Sequence, residues 1–228
     1  TTLFRSRPKP IAALPGLSGV IAGTVGRNGT RWTTTGQTRV PWAVPGPEGP
    51  LTLNLDPRGF SQANPGLNSD LIHAVADALG AHSGPRVLEL YAGAGNLTVP
   101  LAAGGLDVTA VEVNAPALAE GRAAVEALDR TAHFLPGRVE EIVDSLAKSR
   151  FDAVVADPPR TGLGPVARAL ASLAAPRVVL VSCEPATLAR DLRVLADAGY
   201  AVVEASLIDM FPQTWHIETV VRLERGGR

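Results

Sequence analysis

The sequence lacks the cysteines that a disulfide-stabilised or cysteine-ligated metal protein needs. Cys183 is the only cysteine among 228 residues, which excludes an internal disulfide framework and a zinc or iron–sulfur site built from cysteines alone. A single free thiol fits a reducing compartment, so we expect a cytoplasmic protein without a bound metal.

Long hydrophobic segments and a strong net charge are also absent. No run of about 18 apolar residues and no secretory segment occurs, so we predict neither export nor membrane insertion. The 22 acidic and 21 basic residues nearly cancel, and 46% of the residues are hydrophobic, which is typical of one large globular domain with a small appendage. The chain begins with threonine, as expected of a processed or truncated piece, and we expect it to act as a monomer.

Basic residues are concentrated in residues 1–60. This region holds seven basic and two acidic residues, a net charge of +5, which leaves −6 for the remainder. Short apolar segments at 19–25 and 51–55, separated by turn residues, predict small β structure. Two interpretations of the charge stay open, a face that meets an RNA phosphate backbone and an ordinary solvated surface. The basic residues are Arg5, Arg7, Lys9, Arg27, Arg31, Arg39 and Arg58.

Alternating helix and strand signals begin near residue 67. Leu71, Val75 and Leu79 recur at helical spacing and predict a helix over 68–79 that Gly80 ends. Apolar strands joined by helices predict a Rossmann-like α/β fold with a mostly parallel, seven-stranded sheet covered on both faces. The last two strands have no helix between them and should pair antiparallel. The strands are expected at 86–91, 107–113, 132–135, 151–156, 177–182, 201–208 and 217–223, and further helices near 96–104, 115–128, 139–148, 164–174 and 185–198.

A glycine-rich turn follows the first strand of this α/β region. Gly93 and Gly95 lie between a strand and a helix, where glycines let the backbone approach a ligand closely. Glu112 ends the second strand, 19 residues after Gly93, where a carboxylate can bind ribose hydroxyls. The pattern predicts a nucleoside site, with a purely structural turn as the alternative. Thr98 replaces the third glycine typical of a nicotinamide dinucleotide site, so S-adenosylmethionine, which has a ribose but no pyrophosphate, fits better.

Two further strand ends carry groups suited to chemistry. Asp157 is followed by two prolines, a stiff turn that would place its carboxylate accurately, although a plain turn residue is the alternative. Cys183 lies between an apolar run and a helix that Pro185 begins, where the positive helix end favours a thiolate and the charge of Glu184 opposes it. A small buried apolar cysteine is the other interpretation.

The last predicted strand carries a polar pair. Strand alternation puts His216 and Glu218 on one face and Ile217 on the other. Such a pair is expected either in a site, where Glu218 could act as a base, or on an exposed edge of the sheet.

Six motifs in register resemble one known family. The chain is similar to the S-adenosylmethionine-dependent RNA uridine-5 methyltransferases, which make 5-methyluridine in transfer or ribosomal RNA. The order and approximate spacing agree across residues 58–224. The matching segments are Phe60-Ser61-Gln62-Ala63-Asn64, residues 88–96, Val111-Glu112, Asp157-Pro158-Pro159-Arg160, residues 182–192 and residues 209–218.

The resemblance implies an RNA-methylating enzyme that uses S-adenosyl-L-methionine. It makes Cys183 the nucleophile that adds to carbon 6 of uracil and Glu218 the base that removes the carbon 5 proton. Phe60 becomes a candidate to stack on the target base, and Arg160 and His216 are expected to contact the substrate. The residues expected to contact the cofactor are Gln62, Tyr91, Gly93, Asn96, Glu112 and Asp157.

The chain departs from the family's pattern upstream of these motifs. Many members carry an oligonucleotide-binding β-barrel and a longer central region, some with an iron–sulfur cluster, whereas only about 60 residues precede the Phe60 motif here and the cluster cysteines are absent. The common asparagine after the nucleophile is Glu184. We therefore expect a small β-rich RNA-contacting or linker region over 1–60 and a methyltransferase domain over 61–228.

Three other functions stay open on the sequence alone. A methyltransferase that acts on a base amino group would need neither Cys183 nor Glu218. A non-catalytic RNA-binding module would keep the fold without binding S-adenosylmethionine, and a nicotinamide oxidoreductase would bind NAD(P)H.

Overall fold

The computed structural model describes residues 18–26, 29–80 and 85–226, in which small β-hairpins precede an α/β domain. No helix in these ranges is long and apolar enough to cross a membrane. The predicted basic residues Arg5, Arg7, Lys9 and Arg27 lie outside the described residues. The hairpin strands are β1 (Gly19–Gly26), β2 (Gly29–Gly36), β3 (Val40–Val44) and β4 (Leu51–Leu55).

A seven-stranded sheet forms the centre of the α/β domain. Its strand order is β10-β11-β9-β8-β5-β6-β7; β7, β6, β5, β8 and β9 run parallel, and β11 pairs antiparallel with both β9 and β10. The predicted fold class, the seven strands and the antiparallel final pair are confirmed. The strands are β5 (Arg86–Leu90), β6 (Asp107–Glu112), β7 (His133–Pro136), β8 (Ala153–Ala156), β9 (Arg177–Ser182), β10 (Tyr200–Ile208) and β11 (Glu218–Arg225).

Helices connect these strands, and capping residues define where several of them begin. The Asn64 side chain accepts a hydrogen bond from the Leu67 backbone at 3.3 Å and caps α1, while Asn114 caps α3 in the same way. Glu184 caps α6, which begins at Pro185 as predicted. The helices are α1 (Pro65–Leu79), α2 (Thr98–Ala103), α3 (Ala115–Glu126), α4 (Val139–Ser145), α5 (Val166–Ser172) and α6 (Pro185–Asp197).

The hydrophobic core has two parts because successive strand residues point to opposite faces of the sheet. Val87 belongs to the part beneath α1, α2 and α3, whereas its neighbour Leu88 belongs to the part beneath α4, α5 and α6. Burial on both faces leaves the carboxyl ends of the parallel strands as the place where polar side chains can gather.

The β3–β4 hairpin packs on the α/β domain. Its Leu53 is buried in the core beneath α1 and α3, and Arg39, just before β3, forms an ion pair with Glu120 of α3. The backbone NH of Asp56 also donates to the Glu120 carboxylate at 3.3 Å. These contacts hold the hairpin beside the glycine-rich turn.

Candidate active site

A single cavity brings together most of the residues singled out in the sequence. It has a volume of about 480 Å³, within the range of small-molecule sites, and opens at the carboxyl ends of β5, β6, β8 and β9. Ten of the eleven predicted site residues line it, and His216 is not among its lining residues. The ten are Phe60, Gln62, Tyr91, Gly93, Asn96, Glu112, Asp157, Arg160, Cys183 and Glu218.

Glu112 occupies one end of the cavity with its carboxylate fixed by backbone donors. The Gly93 NH donates to one carboxylate oxygen at 2.9 Å, and the Asn114 NH donates to the other at 2.7 Å. Each oxygen keeps a second lone pair, so the carboxylate is oriented and can still accept hydrogen bonds from a vicinal diol.

The glycine-rich turn beside Glu112 is tightly shaped. Tyr91 has a φ of +65°, which is uncommon for a residue with a Cβ, and Gly95 has a φ of +89°. A Cβ at Gly95 would lie 3.1 Å from the Gly121 Cα of α3, so glycine permits the close packing of turn and helix. The turn therefore presents its backbone to the cavity, as the sequence pattern predicts.

Asn96 is held by a reciprocal amide pair. Its Nδ2 donates to Asn68 Oδ1 at 2.9 Å, and Asn68 Nδ2 donates to Asn96 Oδ1 at 2.8 Å. Asn68 lies in α1 and is fully buried, so the pair ties α1 to the glycine-rich turn. The sequence analysis names Asn96 but misses Asn68, whose polar side chain on the apolar face of a helix is the signal for such a partner.

Asp157 lies at the centre of the cavity wall. Gln62 Nε2 donates to its carboxylate at 3.3 Å. Burial raises the pKa of Asp157 to about 6, and the Gln62 hydrogen bond acts in the opposite direction. The bond joins the Phe60-Ser61-Gln62 segment to the Asp-Pro-Pro turn across the cavity.

Behind the glycine-rich turn lies a buried carboxyl group that the sequence analysis does not single out. Glu89 accepts a hydrogen bond of 2.6 Å from the Thr98 hydroxyl. Burial raises the pKa of Glu89 to about 8, the Thr98 bond lowers it, and the charges of Asp157 and Glu112 raise it further. Thr98, at the position of the missing third glycine, thus has a defined buried partner.

Cys183 lies half-buried between β9 and α6. Burial raises the pKa of its thiol, and the negative charge of Glu218 raises it further. The guanidinium of Arg160 acts in the opposite direction and lowers the pKa of the thiol. The nucleophilic form of the cysteine is therefore opposed by burial and by the charges of Glu218 and Asp157, and it is favoured by Arg160.

Glu218 begins β11 and faces the same cavity. Thr219 pairs with Ser182 at the end of the β11–β9 ladder, and Glu218 and Cys183 are the next residues beyond that pair. Glu218 is 4% exposed, and burial raises its pKa to about 7, with the charge of Asp157 contributing in the same direction. A carboxyl group that titrates near neutrality is suited to proton transfer.

Aromatic side chains surround the approach to the cavity. Phe60 lines it and is 77% exposed, and Phe211 forms part of its wall. The ring of His216 lies edge-on to Phe211 and beside Trp215, which is 84% exposed. Because β11 begins at Glu218, His216 lies in the preceding loop, and its buried Nδ1 has no hydrogen-bond partner within the described chain.

The β3–β4 hairpin supplies lining residues that sequence reasoning missed. Trp42, Leu53 and Leu55 form an apolar part of the cavity wall. The alternation of Leu51, Leu53 and Leu55 predicts a one-sided strand, but not the surface that this side covers.

The fold and the site together define the class I methyltransferase architecture, with a glycine-rich turn after the first strand and a carboxylate at the end of the second. A magnesium protoporphyrin IX methyltransferase from Synechocystis PCC 6803 shares this fold, with a TM-score of 0.53 and 17% identity over 71% of this chain and 78% of that chain. A Pyrococcus abyssi tRNA (uracil-54, C5)-methyltransferase, crystallised with S-adenosyl-L-homocysteine, has a TM-score of 0.79 and 25% identity, covering 97% of this chain and 54% of that one.

The chain belongs to the tRNA (uracil-5-)-methyltransferase family, whose family model matches residues 51–150 and 124–226. A 23S rRNA (uracil(1939)-C(5))-methyltransferase, RlmD, from Klebsiella pneumoniae is 41% identical over 179 residues, which cover 77% of this chain. The same match covers 41% of that relative, so the chain spans about two fifths of the length of the curated relatives it matches.

Proposed function

We propose that this chain transfers a methyl group from S-adenosyl-L-methionine to carbon 5 of a uridine in transfer or ribosomal RNA. The observation that carries the proposal is that Cys183 and Glu218 line one cavity together with Glu112 and Asp157. Family membership supports the same reaction. A methyltransferase that acts on an amino group would have no use for a thiol and a carboxylate arranged in this way.

The residues present fit the cofactor. Glu112, held by two backbone NH groups, would bind the ribose hydroxyls, and Gln62, Tyr91, Gly93, Asn96 and Asp157 would surround the rest of the molecule. Acidic groups in this wall suit a ligand that carries a sulfonium and an ammonium group. When bound, S-adenosylmethionine supplies an electrophilic methyl group.

Cys183 activates the target base. Carbon 5 of uracil is a weak nucleophile, and addition of the thiolate to carbon 6 forms a carbon–sulfur bond and moves an electron pair onto the carbonyl oxygen at carbon 4. The resulting enolate makes carbon 5 nucleophilic. Arg160, whose positive charge lowers the pKa of the thiol, favours the thiolate that this step needs.

Glu218 completes the reaction. After methylation, carbon 5 carries both the methyl group and its original hydrogen, and the Glu218 carboxylate takes this proton. The electron pair left behind restores the carbon 5–carbon 6 double bond as the carbon–sulfur bond breaks and the thiolate leaves. The pKa of about 7 allows Glu218 to accept a proton and release it again near neutral pH.

Access to carbon 6 requires a target uridine outside a stacked helix. A base in a loop, or one flipped out of its stack, can enter the cavity, and aromatic stacking offsets the lost stacking energy. Phe60, exposed at the cavity, is our candidate for this contact, with Arg160 and His216 as further substrate contacts.

We further propose a division of labour along the chain, with residues 1–60 as an RNA-contacting or linker region and 61–228 as the methyltransferase domain. Arg39 and Arg58 form ion pairs with Glu120 and Asp56, so their charges are partly satisfied within the protein. The proposal includes action as a monomer in the cytoplasm, where the thiol stays reduced. Light scattering at the monomer mass of 23.6 kDa tests the oligomeric state.

The test uses S-adenosylmethionine with a labelled methyl group and RNA from a strain that lacks uridine-5 methylation. Ribosomal and transfer RNA are treated separately, digested to nucleosides and identified by mass spectrometry. We expect labelled 5-methyluridine with the wild type and none with Cys183→Ala. Label on an exocyclic amino group, or full activity of Cys183→Ala, would show that the proposed reaction is wrong.

A further inference from the structure

The loop that carries Arg160 makes several hydrogen bonds to α6. The backbone NH of Leu163 donates to Asp191 Oδ2 at 2.6 Å, and Arg190 Nη2 donates to the Thr161 carbonyl at 2.8 Å. The Thr187 hydroxyl donates to the Arg160 carbonyl at 3.1 Å. Three hydrogen bonds thus join this loop to the first two turns of α6.

Asp191 is the centre of this arrangement. It is 2% exposed, and Arg190 donates to its Oδ1 from Nε at 3.0 Å and from Nη2 at 2.9 Å. Its carboxylate therefore accepts bonds from a loop and from its own helix at the same time. A buried carboxylate satisfied in this way is costly to alter, since removing it leaves its donors unpaired.

Gly162 allows the loop to come this close. Its φ is +72°, and an added Cβ would overlap the Asp191 carboxylate and the Arg190 guanidinium. The local backbone is therefore shaped around these two side chains.

The same helix begins two residues after Cys183. Cys183 thus lies just before the helix whose first two turns hold the backbone of Arg160, Thr161 and Leu163. Arg160 and Cys183 line the same cavity, and the guanidinium lies close enough to the thiol to lower its pKa. We propose that Asp191, together with Arg190 and Thr187, positions Arg160 beside Cys183 and so controls the reactivity of the nucleophile.

Asp191 is a positioning residue in this proposal, because it acts on the thiol only through Arg160. The catalytic importance of this positioning rests on the proposed function. The positioning itself can be tested without measuring methyl transfer. Cys183 is the only cysteine, so its rate of alkylation by iodoacetamide reports the thiolate directly.

The experiment measures that rate between about pH 6 and pH 10 in the full chain. We expect Arg160→Gln to shift the profile to higher pH and to slow alkylation near neutrality by about threefold or more, since a tenfold change corresponds to one pKa unit. Asp191→Asn should shift the profile in the same direction. Arg193→Gln, an exposed change on the same helix, should leave it unchanged.

The double variant decides whether Asp191 acts through Arg160. If it does, adding Asp191→Asn to Arg160→Gln causes no further slowing, because the group it positions has already been removed. The proposal is overturned if Asp191→Asn slows alkylation equally in the wild type and in Arg160→Gln. It is also overturned if Arg160→Gln shifts the pH profile of alkylation and Asp191→Asn does not.

A milder variant guards against loss of the fold. Thr187→Val keeps the side-chain shape and removes the hydroxyl bond to the Arg160 carbonyl. With the circular dichroism spectrum and Tm checked for each variant, a folded Thr187→Val protein should show a smaller shift in the same direction. If Asp191→Asn fails to fold, a folded Thr187→Val protein whose alkylation profile matches that of the wild type counts against the proposal. The chain could lack methylation activity while Arg160→Gln and Asp191→Asn still shift the alkylation profile. That result would refute the proposed function and leave the positioning role intact.

Discussion

Glu218 and Cys183 line the same cavity, and the negative charge of Glu218 raises the pKa of the Cys183 thiol. The proposed base therefore opposes formation of the thiolate that it later helps to release. Protonation of Glu218 removes this opposition, while Arg160 acts on the thiol in the other direction. The two steps of the proposed reaction are linked through one pair of side chains.

Glu218→Gln should separate these steps. The amide cannot take the carbon 5 proton, so the methylated base should remain attached to Cys183 and a protein–RNA adduct should accumulate. A denaturing gel with labelled RNA measures the adduct, and the double variant with Cys183→Ala is the control that should form none. Wild-type turnover by Glu218→Gln would contradict the role of this residue.

The rate of methylation should depend on pH in a defined direction. Burial, with the charge of Asp157, raises the pKa of Glu218 to about 7, and the base acts as the carboxylate. The rate should therefore rise as the pH increases through about 7, and it should continue to rise as the Cys183 thiol, whose pKa is also raised, ionises. Single-turnover rates across this range test the expectation, and a rate that falls between about pH 6 and pH 8 contradicts it.

Glu89→Gln should change how stability depends on pH. The native Glu89 carboxyl keeps its proton up to about pH 8, whereas the unfolded chain loses it near the ordinary value of 4.5, so this group makes the native state less stable as the pH rises between these values. The slope approaches about 1.4 kcal/mol per pH unit for one proton. Because glutamine does not titrate, the variant should gain stability relative to the wild type across this window.

Denaturant unfolding near pH 5 and near pH 8 measures this difference. Glu126→Gln, an exposed change on α3, provides the matched control and should behave as the wild type does. A Glu89→Gln protein whose difference from the wild type is the same at both pH values would show that the carboxyl is not protonated in the native state.

Phe60→Ala should weaken RNA binding without affecting the cofactor. Phe60 is largely exposed, and loss of an aromatic stacking partner costs about 1–3 kcal/mol per base. Filter binding with RNA and calorimetry with S-adenosylhomocysteine measure the two affinities, and Phe60→Tyr should retain most of the RNA affinity. Equal loss of both affinities would place Phe60 in the cofactor pocket instead.

Much of the α/β domain could be predicted because its strands are apolar and its helices are periodic. Strand β9 agrees at both ends with the predicted 177–182, and α6 begins at Pro185 as expected. Helix α1 begins three residues earlier than predicted, since its first turn is defined by the Asn64 cap and Pro65 rather than by apolar spacing. Strand β2 was not predicted because its residues are almost entirely exposed and carry no alternating pattern.

The candidate site shows the same division. Glu112, Asp157 and Cys183 could be located because each lies at the end of a strand or directly after one, and parallel strands end at one edge of a sheet. The Asn68–Asn96 pair and the place of Trp42 in the cavity wall could not, since both depend on contacts between distant parts of the chain.

The insertion of β11 between β9 and β10 has a consequence for biosynthesis. Strand β9 reaches its final partner only after residues 218–225 have been made, so a nascent chain holds Cys183 at the end of a strand whose second edge is still unpaired. Glu218, the proposed base, belongs to β11, which is the last strand of the chain to be synthesised. In the proposed mechanism, a chain arrested before residue 218 would therefore lack the group that releases the methylated RNA.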